Sequence, residues 1–510
     1  GAEIFLSLLS GGFLLILLWF FDNLILNPRK LRSRLVKQGI RGPDPAVFLG
    51  NIPEIKRISQ TSEKKKSKEI THAWFADVFP HLDKWRKTFG PTFLYSTGNI
   101  QFLCITDPEM VKEISLHTSL NIGKPSYLST DRGPLLGNGI FSSNGAYWSH
   151  QRKIIAPEFY LDKVKRMVKL MADSTLDMMK TWEKKAENRN GCRVDEDLRS
   201  LSGDIISRAC FGRSYAQGEQ IFHKIQALQN LMSGCSIGVP GLRHIPNKRN
   251  LEIRKLAREV DKMVLEVIRS RSNEDDDDKN LLRTILLAAA ENYEDENGRP
   301  ATIDKNRFVV DNCKNMYLAG HETVAISSSW CLMILAAYPD WQARVRDEVL
   351  EVCGSEVPTA DMLRKMKLLT MVIQETLRLY PPVAYVVREA LRDVSVGGIT
   401  IPRGINIQIP IPSIHEHEGL WGPDSRSFRP ERFAGGISSA CRMPYGFMPF
   451  GVGSRTCLGQ NFAVAELKVV VSIVLSRFRL SLGSDYEHSP PEFRLMIQPK
   501  DGVRLVLEKL

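Results

Sequence analysis

The chain has 510 residues, of which 43% are hydrophobic and 25% are charged, so its composition predicts a packed globular core. The 9 cysteines are scattered singly without a C-x-x-C pair, which argues against a disulfide framework or a zinc module and fits a reducing compartment. The formal net charge is +11, but no nucleic-acid-binding motif accompanies it. Membrane headgroups or an acidic protein partner explain this charge more simply than nucleic acid does.

The first part of the chain is an apolar segment without a charge, from Ile4 to Phe21. As a helix it would be about 27 Å long, enough to cross a thin bilayer. Basic residues follow it, and basic flanks stay in the cytosol. We therefore expect a single-pass anchor over residues 1–28, with the rest of the chain on the cytosolic side. The alternative is a cleaved signal peptide, whose basic region would precede the apolar run.

The remaining chain is predicted to be mainly α with a small β region. Proline and glycine turns predict a stiff, basic and proline-rich hinge over residues 29–53. Alternating apolar residues predict a hairpin over 91–106. The patterning is mainly helical from about 146 to 380 and becomes strand-like over 384–412. Residues 54–510 are thus expected to form one large domain.

The first predicted helix with candidate functional residues carries Trp148 and Arg152, which lie four apart on one face. A basic cluster follows at once, formed by Lys153, Lys163, Lys165, Arg166 and Lys169. Such a cluster is ordinarily a solvated face. The alternative is a surface that steers an acidic protein partner electrostatically.

A long helix is predicted over 304–338, because this stretch contains no proline, begins at the capping residue Asp304 and ends before a proline. Its middle reads A-G-H-E-T at 319–323. This is not the zinc-protease motif H-E-x-x-H, because alanine stands where the second histidine would be. Glu322 and Thr323 form an acid–alcohol pair that can hold a water molecule and relay protons. Standing alone, the motif would be interpreted as a polar patch on a packed helix.

A charged constellation follows further along the chain. Glu375 and Arg378 lie three apart on one face of a helix that stops at a Pro-Pro pair. Alone, such a pair is usually an exposed ion pair. Arg432, within the sequence F-R-P-E-R-F, supplies a second arginine downstream.

The most informative segment is the sequence F-G-V-G-S-R-T-C-L-G near the C-terminus. It places Cys457 in a glycine-bracketed turn near Arg455. Positive charge and backbone N–H donors lower the pKa of a thiol and favour a thiolate. Gly453 and Gly459 would let the backbone pass close to a flat cofactor, and Phe450 would cover the sulfur. The prediction is one thiolate held against a metal; the alternative is a free cysteine buried in an ordinary turn.

These motifs stand in the order W-x-x-x-R, A-G-x-E-T, E-x-x-R, P-E-R-F and F-x-x-G-x-R-x-C-x-G, and together they resemble the cytochrome P-450 superfamily over essentially the whole chain. The resemblance implies a helix-rich triangular prism with a small β region behind the anchor. It implies haem b as the cofactor, with the thiolate of Cys457 as the axial iron ligand.

The resemblance also assigns roles to the other motif residues. Those expected to bind the haem or its propionates are Trp148, Arg152, Arg388, Phe450, Gly453, Arg455 and Gly459. Those expected to form a buried charge network behind the haem are Glu375, Arg378 and Arg432. Glu322 and Thr323 are expected to relay protons during oxygen activation, with Gly320 letting the helix approach the haem.

The implied reaction is insertion of one oxygen atom from O₂ into an apolar substrate, as a hydroxylation or an epoxidation. The electrons would come from NADPH through NADPH–cytochrome P-450 reductase, which would dock beside the basic cluster. We expect a location in the endoplasmic reticulum membrane, in contact with lipid, with the catalytic domain facing the cytosol. No nucleic-acid partner is expected.

Three stretches resemble the plant clan that oxidises hormones and terpenoids, namely 137–140, 246–250 and 308–314. A gibberellin-type diterpenoid acid is therefore the first substrate hypothesis, with a triterpenoid acid, a steroid hormone or a cytokinin as alternatives. The substrate pocket is expected to draw on 123–141, 311–323 and 382–387. A haem-thiolate isomerase or dehydratase and a non-catalytic haem carrier remain alternatives, although the acid–alcohol pair disfavours the isomerase or dehydratase.

Overall fold

Helices make up most of the secondary structure in the computed structural model, which describes residues 15, 18, 21–61, 66–67, 69–117, 119–187, 191–212, 215–233, 237–272, 281–289, 293–294, 300–301, 304–484 and 486–510. The α-helices are α1 Asn27–Val36, α2 Ile52–Thr61, α3 Phe75–Val78, α4 Pro80–Phe89, α5 Pro108–Leu116, α6 Gly133–Leu136, α7 Gly145–Ile155, α8 Leu161–Ala186, α9 Asp195–Phe211, α10 Tyr215–Ser233, α11 Lys248–Ser272, α12 Leu281–Ala288, α13 Lys305–Ala337, α14 Pro339–Cys353, α15 Ala360–Lys365, α16 Lys367–Leu379, α17 Ile411–His415, α18 Glu418–Trp421, α19 Ile437–Ala440 and α20 Gln460–Arg477. A π-helical turn, Asp22–Leu26, leads into α1.

The strands are short and fall into a few small sheets. They are β1 Thr92–Thr97, β2 Ile100–Ile105, β3 Ile122–Gly123, β4 Cys192–Arg193, β5 Tyr293–Glu294, β6 Pro300–Ala301, β7 Tyr385–Ala390, β8 Val394–Val396, β9 Ile399–Ile401, β10 Asn406–Pro410, β11 Phe478–Leu482, β12 Glu492–Phe493, β13 Ile497–Gln498 and β14 Arg504–Lys509. The largest sheet has the order β1-β2-β10-β7-β3, in which only β10 and β2 pair in parallel. The predicted hairpin, the helical middle and the return to strands are confirmed.

The central helix α13 has the limits that the sequence predicts. The side chain of Asp304 accepts a hydrogen bond from the backbone N–H of Arg307 (3.1 Å) and so caps the first turn. The helix ends just before the proline that begins α14. Nearly every residue of α13 from Phe308 onward is buried, because α9, α16, α20 and β11 pack against it within one apolar core. A second apolar core lies between the five-stranded sheet and the loops near the C-terminus.

The segment predicted as a hinge over 29–53 packs against the sheet. Leu35 of α1 is fully buried in the second core, and Arg34 forms an ion pair with Asp393 (2.5 Å). At Gly42, a Cβ atom would lie 1.7 Å from the backbone oxygen of Leu94. The glycine thus allows close packing, and the interpretation of this segment as a stiff hinge stays a prediction.

The predicted anchor over 1–28 lies mostly outside the described residues. Among the residues that the structure describes, no helix is long and apolar enough to cross a bilayer. The division of the chain into anchor, hinge and catalytic domain stays a prediction.

Candidate active site

The cysteine loop, residues 450–459, contains a short 3₁₀ turn, Gly453–Arg455, and ends at the start of α20. The backbone N–H of Cys457 donates to the carbonyl of Phe450 (2.9 Å), which closes the loop. Phe450 is half-buried against the helical core. Its predicted role as a cover for the sulfur stays a prediction.

The sequence predicts a lowered pKa for the thiol of Cys457, but the structure indicates a raised one. Burial raises its pKa, while a backbone N–H of Gly459 and the charges of Arg152 and Lys124 act in the opposite direction. The side chain is nevertheless exposed. In the protein alone desolvation outweighs the positive charges, and a bound metal would be needed to hold the thiolate.

Four positively charged side chains, hereafter the cation cluster, converge beside this loop: Lys124, Arg152, Arg388 and Arg455. Arg152 donates to the carbonyl of Thr456 (3.2 Å), and Arg388 donates to the carbonyl of Val452 (3.0 Å). Arg455 lies 3.8 Å from the ring centroid of Trp148 and donates to the carbonyl of Ser143 (2.8 Å). The structure thus brings together the predicted residues Trp148, Arg152, Arg388 and Arg455, which come from α7, β7 and the cysteine loop.

Lys124 is the member of the cation cluster that sequence reasoning missed. Asn144 positions it, because the Oδ1 atom of Asn144 accepts both the backbone N–H of Lys124 (2.7 Å) and the guanidinium of Arg455 (2.8 Å). A lone lysine between a glycine and a proline has no motif, so only its general place within the predicted pocket range 123–141 was foreseen.

The cation cluster is electrostatically unfavourable by itself. Burial, and then the charges of Arg388 and Arg152, lower the pKa of Arg455 to about 9. Burial, and then Arg388 and Arg455, hold the pKa of Lys124 well below its usual value, and Cys457 is the one group that raises it. Arg388 is 6% exposed, and burial lowers its pKa to about 10. Such a cluster fits a ligand that brings anionic oxygens, as the two propionates of haem b would.

Two glycines of the predicted site are required by contacts within the protein, and the expected approach of a flat cofactor to them stays a prediction. Gly453 has φ +72°, and a Cβ atom there would lie 2.9 Å from the backbone oxygen of Ser115. At Gly320, a Cβ atom would lie 2.5 Å from the side chain of Ile206, so the glycine lets α9 pack closely on α13. Gly459 has ordinary dihedral angles, and a Cβ atom there would meet open space.

The predicted acid–alcohol pair lies in the middle of α13, but its two members bond to different groups. The hydroxyl of Thr323 donates to the carbonyl of Ala319 (2.7 Å) instead of to Glu322. Glu322 is 6% exposed, and its Oε1 accepts from Arg199 of α9 (3.0 Å). Its Oε2 has no hydrogen-bond partner and lies 3.5 Å from Nδ1 of His321.

Glu322 opens onto a polar cavity of about 520 Å³ that lies between α9, α10, α13 and the last strands. His321 and Arg199 line the same cavity, and burial lowers the pKa of His321. Arg199, the ion-pair partner of the acid, was missed because it lies 123 residues upstream on another helix.

The predicted charge network is present and buried. Arg378 forms two hydrogen bonds to Glu375 (2.7 and 2.8 Å), and Arg432 donates to the same carboxylate (3.0 Å). The side chains of Glu375 and Arg378 are 0% exposed, and that of Arg432 is 6% exposed. The network joins α16 to the 3₁₀ turn Pro430–Phe433, so its role is structural.

The basic cluster on α7 and α8 is partly neutralised by nearby acids. Lys163 pairs with Glu158 (2.8 Å), and Lys165 pairs with Asp162 (3.0 Å). Lys165 also lines a groove of about 300 Å³ that includes Phe450 and several apolar side chains of α8, α16 and α20. The groove therefore places basic residues near the cysteine loop.

The comparisons with known proteins agree with this site. Residues 41–505 match the family described as Cytochrome P450. The chain belongs to the cytochrome P450 family. The family uses haem b with a cysteine thiolate as the axial iron ligand, and in this chain the cation cluster and Cys457 fit that cofactor.

Among curated proteins, similar relatives come from plants. Cytochrome P450 714C2 of Oryza sativa subsp. japonica is 46% identical over 518 residues, covering 99% of this chain and 97% of the relative. Cytochrome P450 714B3 of Zea mays is 42% identical, covering 100% and 96%. Cytochrome P450 714A2 of Arabidopsis thaliana is 41% identical, covering 95% and 94%. The expected relation to plant haem-thiolate P450 proteins is thus confirmed.

Proposed function

We propose that this P450 inserts one oxygen atom from O₂ into a gibberellin-type diterpenoid acid, using electrons that NADPH–cytochrome P-450 reductase delivers from NADPH. The observation that carries the monooxygenase part is the convergence of the cation cluster on the cysteine loop. The substrate class rests on the resemblance of 137–140 and 308–314 to the hormone- and terpenoid-oxidising plant clan. These two stretches are in contact, since the N–H of Asn138 donates to Asp311 (2.8 Å).

The residues around the cofactor site have different roles. When bound, haem b supplies the iron at which O₂ is activated. Cys457 would supply the thiolate ligand, and the cation cluster would hold the propionates. The hydroxyl of Thr323 donates a hydrogen bond to the carbonyl of Ala319, which leaves the lone pairs of the Thr323 oxygen free to accept a hydrogen bond.

Glu322 has one oxygen held by Arg199 and one without a hydrogen-bond partner. That second oxygen is buried 3.5 Å from Nδ1 of His321, and both residues line the polar cavity, so protons would reach Glu322 from that side of α13. We propose that Arg199 fixes the orientation of this carboxylate, so that Glu322 passes protons towards Thr323 through water rather than through direct contact.

Reductase docking is proposed at the groove beside Phe450. Lys165, Arg364 and Lys468 line this groove, whose remaining walls include apolar side chains such as Leu161, Val164 and Leu377. Basic residues at the rim attract an acidic partner electrostatically, and the apolar floor provides surface that is buried when the partner binds. The groove lies next to the cysteine loop, where electrons must arrive.

Location in the endoplasmic reticulum membrane is also a proposal. The apolar N-terminal segment is one argument for this location. A second is that the apolar side chains of Phe48, Leu49 and Ile245 are exposed. The two segments that carry them both contact the turn between β1 and β2, since Gly98 donates to Leu49 and Asn99 donates to Gly238 (3.1 and 3.0 Å). Exposed apolar residues on neighbouring loops, with basic residues nearby, suit a lipid surface.

The location is tested on the full chain expressed in microsomes. We expect it to stay in the pellet after carbonate washing and to be digested by protease added outside. Protection from that protease would place the catalytic domain in the lumen and contradict the proposed orientation.

The reaction is tested by titrating the ferric holoenzyme with gibberellins, other diterpenoid acids, triterpenoid acids, steroid hormones and cytokinins. A saturable low-to-high-spin shift is expected with a gibberellin, followed by turnover that requires both NADPH and reductase. A shift only with another scaffold would refute the substrate class. Turnover without NADPH or reductase would favour an isomerase or a dehydratase over a monooxygenase.

A further inference from the structure

Three buried polar side chains of α13 bond to the loop that precedes α7. Asp311 accepts from the backbone N–H of Asn138 (2.8 Å) and Asn312 accepts from that of Ile140 (3.0 Å). Asn315 accepts from the N–H of Phe141 (2.9 Å) and donates to the carbonyl of Leu136 (2.8 Å). The acceptors, hereafter the clamp, are Asp311, Asn312 and Asn315, whose exposed fractions are 1%, 0% and 2%.

Asn315 follows Asn312 by three residues and Asp311 by four, so it lies beside both on one side of α13. In the loop over 137–144, the N–H groups of Gly137, Ser142 and Ser143 bond to backbone carbonyls, whereas those that reach the clamp bond to side chains instead. Buried N–H groups need acceptors. The clamp supplies these acceptors in fixed directions. An apolar side chain of the same size would leave an N–H group unpaired and favour a shift of the loop towards water.

Glycines in the loop allow this close approach. Gly137 has φ +57°, and a Cβ atom there would lie 2.0 Å from Oδ1 of Asp311. A Cβ atom at Gly139 would lie 2.6 Å from Oδ1 of Asn315. Only a chain without side chains at these two positions can lie against the clamp in this way.

The loop continues from the clamp directly to the cation cluster. The carbonyl of Ser143 accepts from Arg455 (2.8 Å), and Nζ of Lys124 lies 4.5 Å from the ring centroid of Phe141. The loop is thus fixed at one end by α13 and at the other by the residues that fit the haem propionates. Residues 137–141 of this loop belong to the range 123–141 from which the sequence predicts the substrate pocket.

We propose that Asp311, Asn312 and Asn315 are specificity-determining positioning residues, which hold the backbone of 136–141 against α13 and so set the shape of the wall that the substrate meets. This inference rests on the proposed monooxygenase function, because it concerns the same pocket. The clamp residues act through the loop and need not touch the substrate themselves.

The central test replaces Asn312 with leucine, which has a similar size but offers no acceptor to Ile140. A second variant, Asn312→Ser, keeps an acceptor oxygen, and a water molecule can bridge this oxygen to the N–H group of Ile140. The matched control is Ser329→Ala, because Ser329 is buried on the same helix and donates only to the carbonyl of Ala325 (2.8 Å). All variants are studied as full-chain holoenzyme with reductase and NADPH.

For Asn312→Leu we expect KM to rise about tenfold, as the loss of one buried hydrogen bond implies, with kcat within about twofold of wild type. We also expect a second regioisomer among the products. The KM and product ratio of Asn312→Ser should lie closer to those of wild type than to those of the leucine variant, and Ser329→Ala should match wild type in both. An unchanged KM and product ratio in Asn312→Leu would overturn the specificity role, as would an Asn312→Ser variant no better than leucine.

Hydrogen–deuterium exchange over residues 136–144 gives a readout that does not depend on turnover. Faster exchange is expected in Asn312→Leu, and unchanged exchange would overturn the clamp even if no compound is turned over. If wild type turns over nothing while exchange responds as expected, the proposed function fails and the clamp stands. Should Asn312→Leu fail to fold, Gly139→Ala tests the same contact from the loop side, with the same expected direction.

Discussion

The buried charge network gives the sharpest stability prediction, through the substitution Glu375→Gln. The carboxylate accepts hydrogen bonds from Arg378 (2.7 and 2.8 Å), from Arg432 (3.0 Å) and from the backbone N–H of Arg429 (2.9 Å). Glutamine has nearly the same shape, so no cavity forms. However, its amide nitrogen must face a guanidinium donor, and two buried cations lose their counter-charge.

The expected loss is about 3–5 kcal/mol in the free energy of unfolding, because the substitution leaves buried charge uncompensated. That is a large fraction of the roughly 5–15 kcal/mol by which a folded domain is stable. The matched control is Glu508→Gln, which removes the charge of an exposed pair with Arg479 (3.3 Å). Since both of those side chains are mostly in water, the control should change stability by less than about 1 kcal/mol.

The assay is urea denaturation of the holoenzyme followed by circular dichroism, with the carbon monoxide difference spectrum as a second probe of the intact thiolate site. We expect the denaturation midpoint of Glu375→Gln to fall well below that of the control, with loss of the thiolate signal at the same denaturant concentration. Equal midpoints for the two variants would refute the reasoning, because they would mean that the network is solvated or that its charges are compensated elsewhere.

Four further predictions concern chemistry, titration and docking. Cys457→Ala should abolish the thiolate spectrum and all turnover; normal turnover would refute thiolate ligation. Thr323→Ala should keep haem but lower product formation by about 10²-fold or more while NADPH use continues, and unchanged product per NADPH would remove Thr323 from the relay. Burial raises the pKa of Glu466 from its ordinary value of 4.5 to about 8, so the folded state binds the extra proton in that window and the free energy of unfolding should fall as pH rises through it. Glu466→Gln should reduce this slope in a denaturation series from pH 4 to 9, and an unchanged slope would contradict a buried acid at this position. Part of the slope remains because burial also raises the pKa of Glu416 to about 7. Lys165→Glu should raise the KM for reductase and leave substrate binding unchanged, while the control Lys180→Glu, on the far part of α8, should change neither; equal effects would exclude the groove as the docking surface.

Features that depend on neighbouring residues could be predicted from the sequence. The limits of α13 follow from the cap at Asp304 and the proline after the helix, and the hairpin of β1 and β2 follows from alternation. The spacing of Glu375 and Arg378 fixes a shared helix face, and the loop around Cys457 is recognisable because its residues are contiguous. These are local patterns, and backbone geometry turns them directly into structure.

Contacts between distant segments were decided only by the tertiary structure. Lys124 joins the predicted arginines because Asn144 holds it beside Arg455, and Glu322 bonds to Arg199 instead of to Thr323 because α9 packs on α13. The pKa of Cys457 is raised rather than lowered because burial, which no spacing reveals, outweighs nearby charge. The sequence by itself determined which residues carry the chemistry, whereas packing between elements determined their partners, since desolvation and ion pairing depend on what lies across the interface.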